Sequence, residues 1–187
     1  MLRQIPNAIC LARLALVVPI AWTLLHDDPA ATLWLFAAAA VSDGADGFLA
    51  KRFGWQTDLG AFLDPLADKV LLVTVFVTLA LLDLVPLWLV LLAVLRDLVI
   101  VSGALAYRLV VGPVKIVPRL SSKINTACQL GFVLVIICRE AFSVPPRWAA
   151  MACGAAMLVM TVVSGFDYVK TYSLRARDAL RGAGAPR

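Results

Sequence analysis

The chain has 187 residues, of which 62% are hydrophobic and only 16% charged, and its mean hydropathy is +0.91. A soluble domain is less apolar and carries more charge, so this composition argues against a water-exposed globule and makes a bilayer the expected solvent. The net charge of +5 is interleaved with apolar runs, so it reads as a topology signal and not as the footprint of a nucleic-acid partner.

A spanning helix needs roughly 20 consecutive apolar residues. Six stretches meet that length, at about 5–25, 30–50, 59–82, 86–111, 122–138 and 148–172. Arg3 precedes the first, but Arg13 interrupts it and no small-residue cleavage site follows, which separates it from a secretory signal. A short polar break holds His26, Asp27 and Asp28, and His26 is expected to be a solvated loop residue. Lys51 and Arg52 follow the second stretch, Asp83 ends the third, and Arg96 and Asp97 lie deep in the fourth. Arg108, Lys115, Arg119 and Lys123 gather between the fourth and fifth, while Arg139, Glu140 and Arg147 separate the fifth from the sixth. Cys10, Cys128, Cys138 and Cys153 sit in apolar surroundings without CxxC spacing, as small core residues do.

Counting Lys and Arg over the turns places both termini in the cytoplasm. Trp22, Trp34, Trp88 and Trp148 fall at the opposite helix ends, where an amphipathic ring prefers the headgroup level. The expected architecture is an all-α, polytopic bundle of six transmembrane helices over residues 1–172. A basic, disordered tail is expected over residues 173–187, with Arg175, Arg177 and Arg181 attracted to anionic lipid.

Ionisable groups inside spanning helices are costly and ask for a partner or a function. Asp43 and Asp46 are three residues apart, Asp64 and Asp68 four, so each pair shares one stripe of a helix. At 1.5 Å per residue all four lie roughly 8 to 15 Å from the turn joining the second and third segments, level with one another across a hairpin. Gly47, Ala50 and Gly60 fall on the same stripes, leaving room for a diphosphate to approach the backbone. Four clustered carboxylates repel one another unless a cation sits among them, and hard oxygen donors suit Mg²⁺ or Mn²⁺ in a two-ion arrangement that serves phosphoryl transfer. A purely structural reading would make Asp64, before Pro65, a helix N-cap and Asp68 with Lys69 an ion pair, but it leaves Asp43 and Asp46 unexplained. An ion or proton transporter would also carry intramembrane aspartates; it needs no glycine and alanine at fixed spacing, and it favours a relay over one cluster.

The stretch from Asp43 to Asp68 resembles the signature DxxDGxxAR, eight residues, GxxxDxxxD of the CDP-alcohol phosphatidyltransferase family. Asp43, Asp46, Gly47, Ala50, Gly60, Asp64 and Asp68 match it, and Lys51 stands where arginine is usual. Lysine keeps the charge but lacks the planar fork. The resemblance implies a six-helix membrane bundle, a homodimer, and a phosphatidyl group moved from CDP-diacylglycerol to an alcohol with release of CMP. It further implies that Asp43, Asp46, Asp64 and Asp68 bind two divalent ions, that Asp68 is the catalytic base, and that Gly47, Ala50, Lys51 and Gly60 line the CDP-lipid site.

Phe62–Leu71 resembles both phosphatidylglycerophosphate synthases and single-motif cardiolipin synthases, which narrows the acceptor to glycerol-based alcohols. Arg96 with Asp97, and SKINTACQL from Ser122 to Leu130, lean toward the latter, with phosphatidylglycerol as acceptor. Asn125 stands where a second lysine would hold the phosphate monoester of glycerol 3-phosphate, the alternative acceptor. Arg108, Lys115, Arg119, Lys123 and Asn125 are the acceptor-binding candidates. Arg96 and Asp97 also read as a structural ion pair between helices, and the small residues around Gly154 as a packing surface. The expected setting is the inner or plasma membrane of a bacterium or its equivalent, with the site facing the cytoplasm.

Overall fold

A computed structural model describes the backbone of residues 5–53, 58–111 and 120–183, and the side chains of residues 9–42, 66–103 and 120–171. Among the described residues there are six helices and no strand: α1 Ile5–Leu25, α2 Pro29–Phe53, α3 Asp58–Leu81, α4 Leu87–Val111, α5 Leu120–Phe142 and α6 Arg147–Ala183. The all-α expectation holds. α5 and, in α6, Arg147–Thr171 are long and apolar enough to cross a bilayer. Shorter apolar helical stretches occupy Ile9–Leu25 and Pro29–Ser42.

Three turns share one end of the bundle, and each stops a helix with a non-glycine residue in the left-handed region: Asp27 (φ 57°), Asp83 (φ 56°) and Ser143 (φ 57°). Behind Asp27 and Asp83 the chain folds back on the helix, with Asp28 N donating to Thr23 O at 3.0 Å and Leu84 N to Leu79 O at 3.0 Å. These are Schellman closures that satisfy the last carbonyls of α1 and α3. Asp28 then caps α2, its Oδ1 accepting from Ala31 N at 3.0 Å with Pro29 in the first helical position. The same Asp-Pro pairing at Asp64 and Pro65 is not a cap, because α3 already begins at Asp58.

Neighbouring helices close into a ring in the order α1, α3, α4, α6, α5, α2, and a smaller contact between α3 and α5 crosses it. That crossing divides the interior into one compartment walled by α1, α3, α5 and α2, and another walled by α3, α4, α6 and α5. Near the turn end the interior is apolar, built from Ile20, Leu24, Phe36, Val75, Phe76, Leu79, Ile137 and Met157. Toward the other end it turns polar, with Arg13, Arg96, Asn125, Gln129, Thr161 and Ser164 all buried. Large apolar side chains cover the outside instead, among them Val18, Leu81, Leu95, Met151 and Phe166. So many large apolar side chains exposed around the bundle fit a lipid-facing surface.

Close helix approach follows small residues. A Cβ at Gly154 would stand 3.1 Å from the Phe132 ring, and one at Gly103 3.0 Å from the Tyr168 ring, so α6 lies tight against both α5 and α4. The small run around Gly154 therefore packs helices. α6 also continues to Ala183, where a disordered tail from residue 173 was expected. The segment SLRARDALRGA is rich in strong helix formers, and a helix already running needs no new nucleation to continue into it.

Candidate active site

The motif residues occupy the two helices anticipated for them. Asp43, Asp46, Gly47, Ala50 and Lys51 belong to α2, and Gly60, Asp64 and Asp68 to α3. Among these, only the Asp68 side chain is described; those of the other seven lie outside the described residues. The two helices do not form a directly packed hairpin among the described residues. Instead α1 packs on both, and α5 closes the fourth side. Of the motif, the described Asp68 faces this interior compartment.

Within that compartment lies a cavity of about 70 Å³, lined by Arg13 of α1, Ala39 and Ala40 of α2, Asp68, Leu71 and Leu72 of α3, and Thr126 and Leu130 of α5. Ala39 and Ala40 leave the space that larger side chains would fill, one turn from Asp43 along the same helix. Arg13 is fully buried, and its Nη1 donates to Asp68 Oδ1 at 2.5 Å; the Asp68 side chain is 35% exposed. A buried guanidinium beside a part-exposed carboxylate holds that carboxylate at the cavity wall. Asp68 therefore does not pair with Lys69, as the structural reading had it.

Lys69 turns into the second compartment, where its ammonium pairs with Asp97 Oδ2 of α4. Asp97 Oδ1 accepts from Arg96 Nη1 at 2.7 Å, within the same helix. Arg96 Nη2 reaches Ser122 Oγ of α5 at 3.0 Å and also donates to Ser164 Oγ of α6. The Arg96 and Asp97 pair was expected to join two helices; it joins four, through Lys69 and the two serines. Nearby, Ser121 Oγ donates to Asp167 Oδ2 at 2.8 Å, and Tyr168 Oη to Ile100 O at 2.8 Å.

Of the acceptor candidates, only Lys123 and Asn125 have described side chains. Lys123 is exposed on α5 and Arg108 belongs to α4 with its side chain undescribed, while Lys115 and Arg119 lie outside the described residues. Asn125 is 0% exposed; its Oδ1 accepts from Thr161 Oγ1 of α6 at 3.0 Å, and its Nδ2 has no partner among the described residues. It lies on the same buried stripe of α5 as Gln129, whose Oε1 is likewise unpartnered. Asn125 is thus an interhelical residue in this structure and does not face the cavity.

As for a metal, no three potential ligands converge among the described residues, of which Asp68 is the one motif aspartate with a placed side chain. By sequence the motif offers four carboxylates, the hard oxygen donors that suit a divalent cation, and of these the structure shows Asp68 at the cavity. By sequence Arg13 is placed as Arg96 is, a charge deep in an apolar helix that reads as one half of an interhelical ion pair or as a residue near the acceptor. The usable signal was that a lone arginine there needs an acid, but four aspartates were available to supply it.

Residues 3–166 match the profile of the CDP-alcohol phosphatidyltransferase family. A "Cardiolipin synthase (CMP-forming)" of Rattus norvegicus is 28% identical over 95% of this chain and 64% of its own length. A "Probable phosphatidylglycerophosphate synthase" of Mycobacterium tuberculosis is 31% identical over 89% of the chain and 80% of its own length. A "CDP-diacylglycerol--glycerol-3-phosphate 3-phosphatidyltransferase" of Bacillus subtilis is 33% identical, covering 88% of the chain and 93% of its own length. The chain thus spans just under two thirds of the rat relative and most of the two bacterial ones. With a family profile covering most of its length and the motif helices bordering one interior cavity, this chain belongs to the CDP-alcohol phosphatidyltransferase family.

Proposed function

We propose that the protein is an integral membrane enzyme that moves the phosphatidyl group of CDP-diacylglycerol to a glycerol-based alcohol and releases CMP. The observation that carries this reading is the Asp68 carboxylate, held by buried Arg13 at the wall of a cavity bordered by both motif helices. Asp43, Asp46, Asp64 and Asp68 would hold one or two Mg²⁺ or Mn²⁺ ions. Bound there, the metal supplies positive charge to the CDP diphosphate and to the leaving oxygen. Gly47, Ala50 and Gly60 leave room for the diphosphate against α2 and α3, and Lys51 offers it a cation.

In the reaction the acceptor hydroxyl oxygen bonds to the phosphorus of the phosphatidyl group, and the bond from that phosphorus to CMP breaks. Asp68 accepts the hydroxyl proton.

For the acceptor we favour phosphatidylglycerol. Arg96 with Asp97 and the segment from Ser122 to Leu130 resemble the corresponding parts of single-motif cardiolipin synthases. Asn125, buried against Thr161, does not face the cavity and adds no charge in favour of either acceptor. Glycerol 3-phosphate is the second reading, favoured by the printed names of the mycobacterial and Bacillus relatives. Under either, Arg108, Lys115, Arg119 and Lys123 form the cationic end that meets the acceptor.

Six spans with both termini cytoplasmic complete the proposal. It is supported by Trp22, Trp34, Trp88 and Trp148, which are all exposed near the turn end, as an aromatic belt would be. A homodimer is proposed on the family resemblance. The deciding experiment gives purified protein CDP-diacylglycerol with Mg²⁺ or Mn²⁺ and offers phosphatidylglycerol and glycerol 3-phosphate in separate reactions. Metal-dependent CMP release with cardiolipin as product is expected; release only with glycerol 3-phosphate selects the second reading, and none with either acceptor refutes the proposal.

A further inference from the structure

We infer that Arg13 is a positioning residue for the transfer step, fixing the Asp68 carboxylate for proton acceptance; this rests on the function proposed above. Arg13 comes from α1, 55 residues from its partner and outside the aspartate motif, and its side chain is 0% exposed. Placing a guanidinium at that depth costs several kcal/mol more than a leucine would, so helix packing alone does not account for it. Nor does α3 need it as an anchor, because Lys69 ties the next residue to α4, and Leu71, Leu72, Val75, Phe76 and Leu79 bury the same helix in the core. What Arg13 adds is orientation. It grips Oδ1 at 2.5 Å where both side chains line the cavity, and holding one oxygen of a planar carboxylate fixes where the other stands.

Arginine suits this task better than lysine, whose ammonium is a point charge on a flexible stem and leaves the carboxylate plane unset. The structure also separates binding from positioning. CDP-lipid would be held chiefly by the metal on Asp43, Asp46 and Asp64 and by residues of α2 and α3, so turning the Asp68 carboxylate alone costs the transfer step more than it costs binding.

The test compares Arg13→Lys and Arg13→Gln with the unsubstituted protein in detergent, reading kcat, the KM for CDP-diacylglycerol, melting temperature, and the melting shift on adding CDP-diacylglycerol with Mg²⁺. Arg13→Lys is expected to lower kcat about tenfold or more, Arg13→Gln further still, because a small misplacement of a reacting group is enough for such losses. The KM should stay within about threefold and the lipid-dependent melting shift should persist, since uniform binding is untouched. Unchanged kcat in Arg13→Lys overturns the inference. So does a parallel fall in kcat, lipid binding and melting temperature, or failure of both variants to fold, since either makes Arg13 part of the scaffold. Failure of the proposed function itself would show differently, as an unsubstituted protein that gives neither CMP release nor a lipid-dependent shift.

Discussion

Asp68 and Lys69 are consecutive in α3, yet they are held from opposite sides, Asp68 by Arg13 of α1 and Lys69 by Asp97 of α4. Successive residues of a helix point about 100° apart, so two such pairs at one level oppose rotation of α3 about its axis. The site and its scaffold thereby meet at adjacent positions.

Removing the scaffold half should be felt as stability. Asp97→Asn leaves Arg96 and Lys69 facing each other with no carboxylate between them, and breaking such a part-buried network costs about 2 kcal/mol. A second substitution, Lys69→Met, should recover part of that loss. Thermal unfolding in detergent for the two single variants and the double variant measures both effects.

The catalytic half should separate by step. Asp43→Asn and Asp64→Asn are each expected to abolish metal-dependent CMP release, whereas Asp68→Asn should keep metal-dependent binding of CDP-diacylglycerol and lose transfer. Chelation should silence the unsubstituted protein, and added Mg²⁺ or Mn²⁺ should restore it. Normal turnover by Asp43→Asn would remove the metal assignment.

Asn125 offers a test of acceptor choice. Because it is wholly buried against Thr161, Asn125→Lys should destabilise the bundle by about 3 kcal/mol, the insertion cost of a charge in a bilayer helix. It should confer no preference for glycerol 3-phosphate, because a lysine there would point at α6. A folded Asn125→Lys variant with raised turnover of glycerol 3-phosphate would place this position at the headgroup after all.

The turn end makes a smaller prediction. A side chain in the left-handed region costs about 1 kcal/mol that glycine avoids, and aspartate tolerates it better than serine. Ser143→Gly should therefore raise stability by about 1 kcal/mol, and Asp83→Gly by less, as read from paired melting curves.

Much of this was visible in residue order. Apolar run length placed α1 at 5–25 and α4 within a residue of its limits, and the spacing of Asp43, Asp46, Asp64 and Asp68 put the motif on two helices. Partners were not visible, since which acid answers Arg13 depends on α1 packing against α3, a contact between helices with no periodic signature. Asp64 and Pro65 misled because an Asp-Pro pair caps a helix only where one begins, as at Asp28 and Pro29. Asn125 misled for a related reason: alignment by motif names a position without saying which way it faces.

The three turns at Asp27, Asp83 and Ser143 make the chain a series of helical hairpins, α1 with α2, α3 with α4 and α5 with α6, each packed within itself. The aspartate motif straddles the first two, and the cavity wall needs Thr126 and Leu130 from the third. During synthesis the pairing of Arg13 with Asp68 therefore forms only once the second hairpin has joined the first. The cavity beside Asp68 closes only when the last pair docks, so a chain lacking that hairpin has the pairing of Arg13 with Asp68 but not the enclosed space next to it.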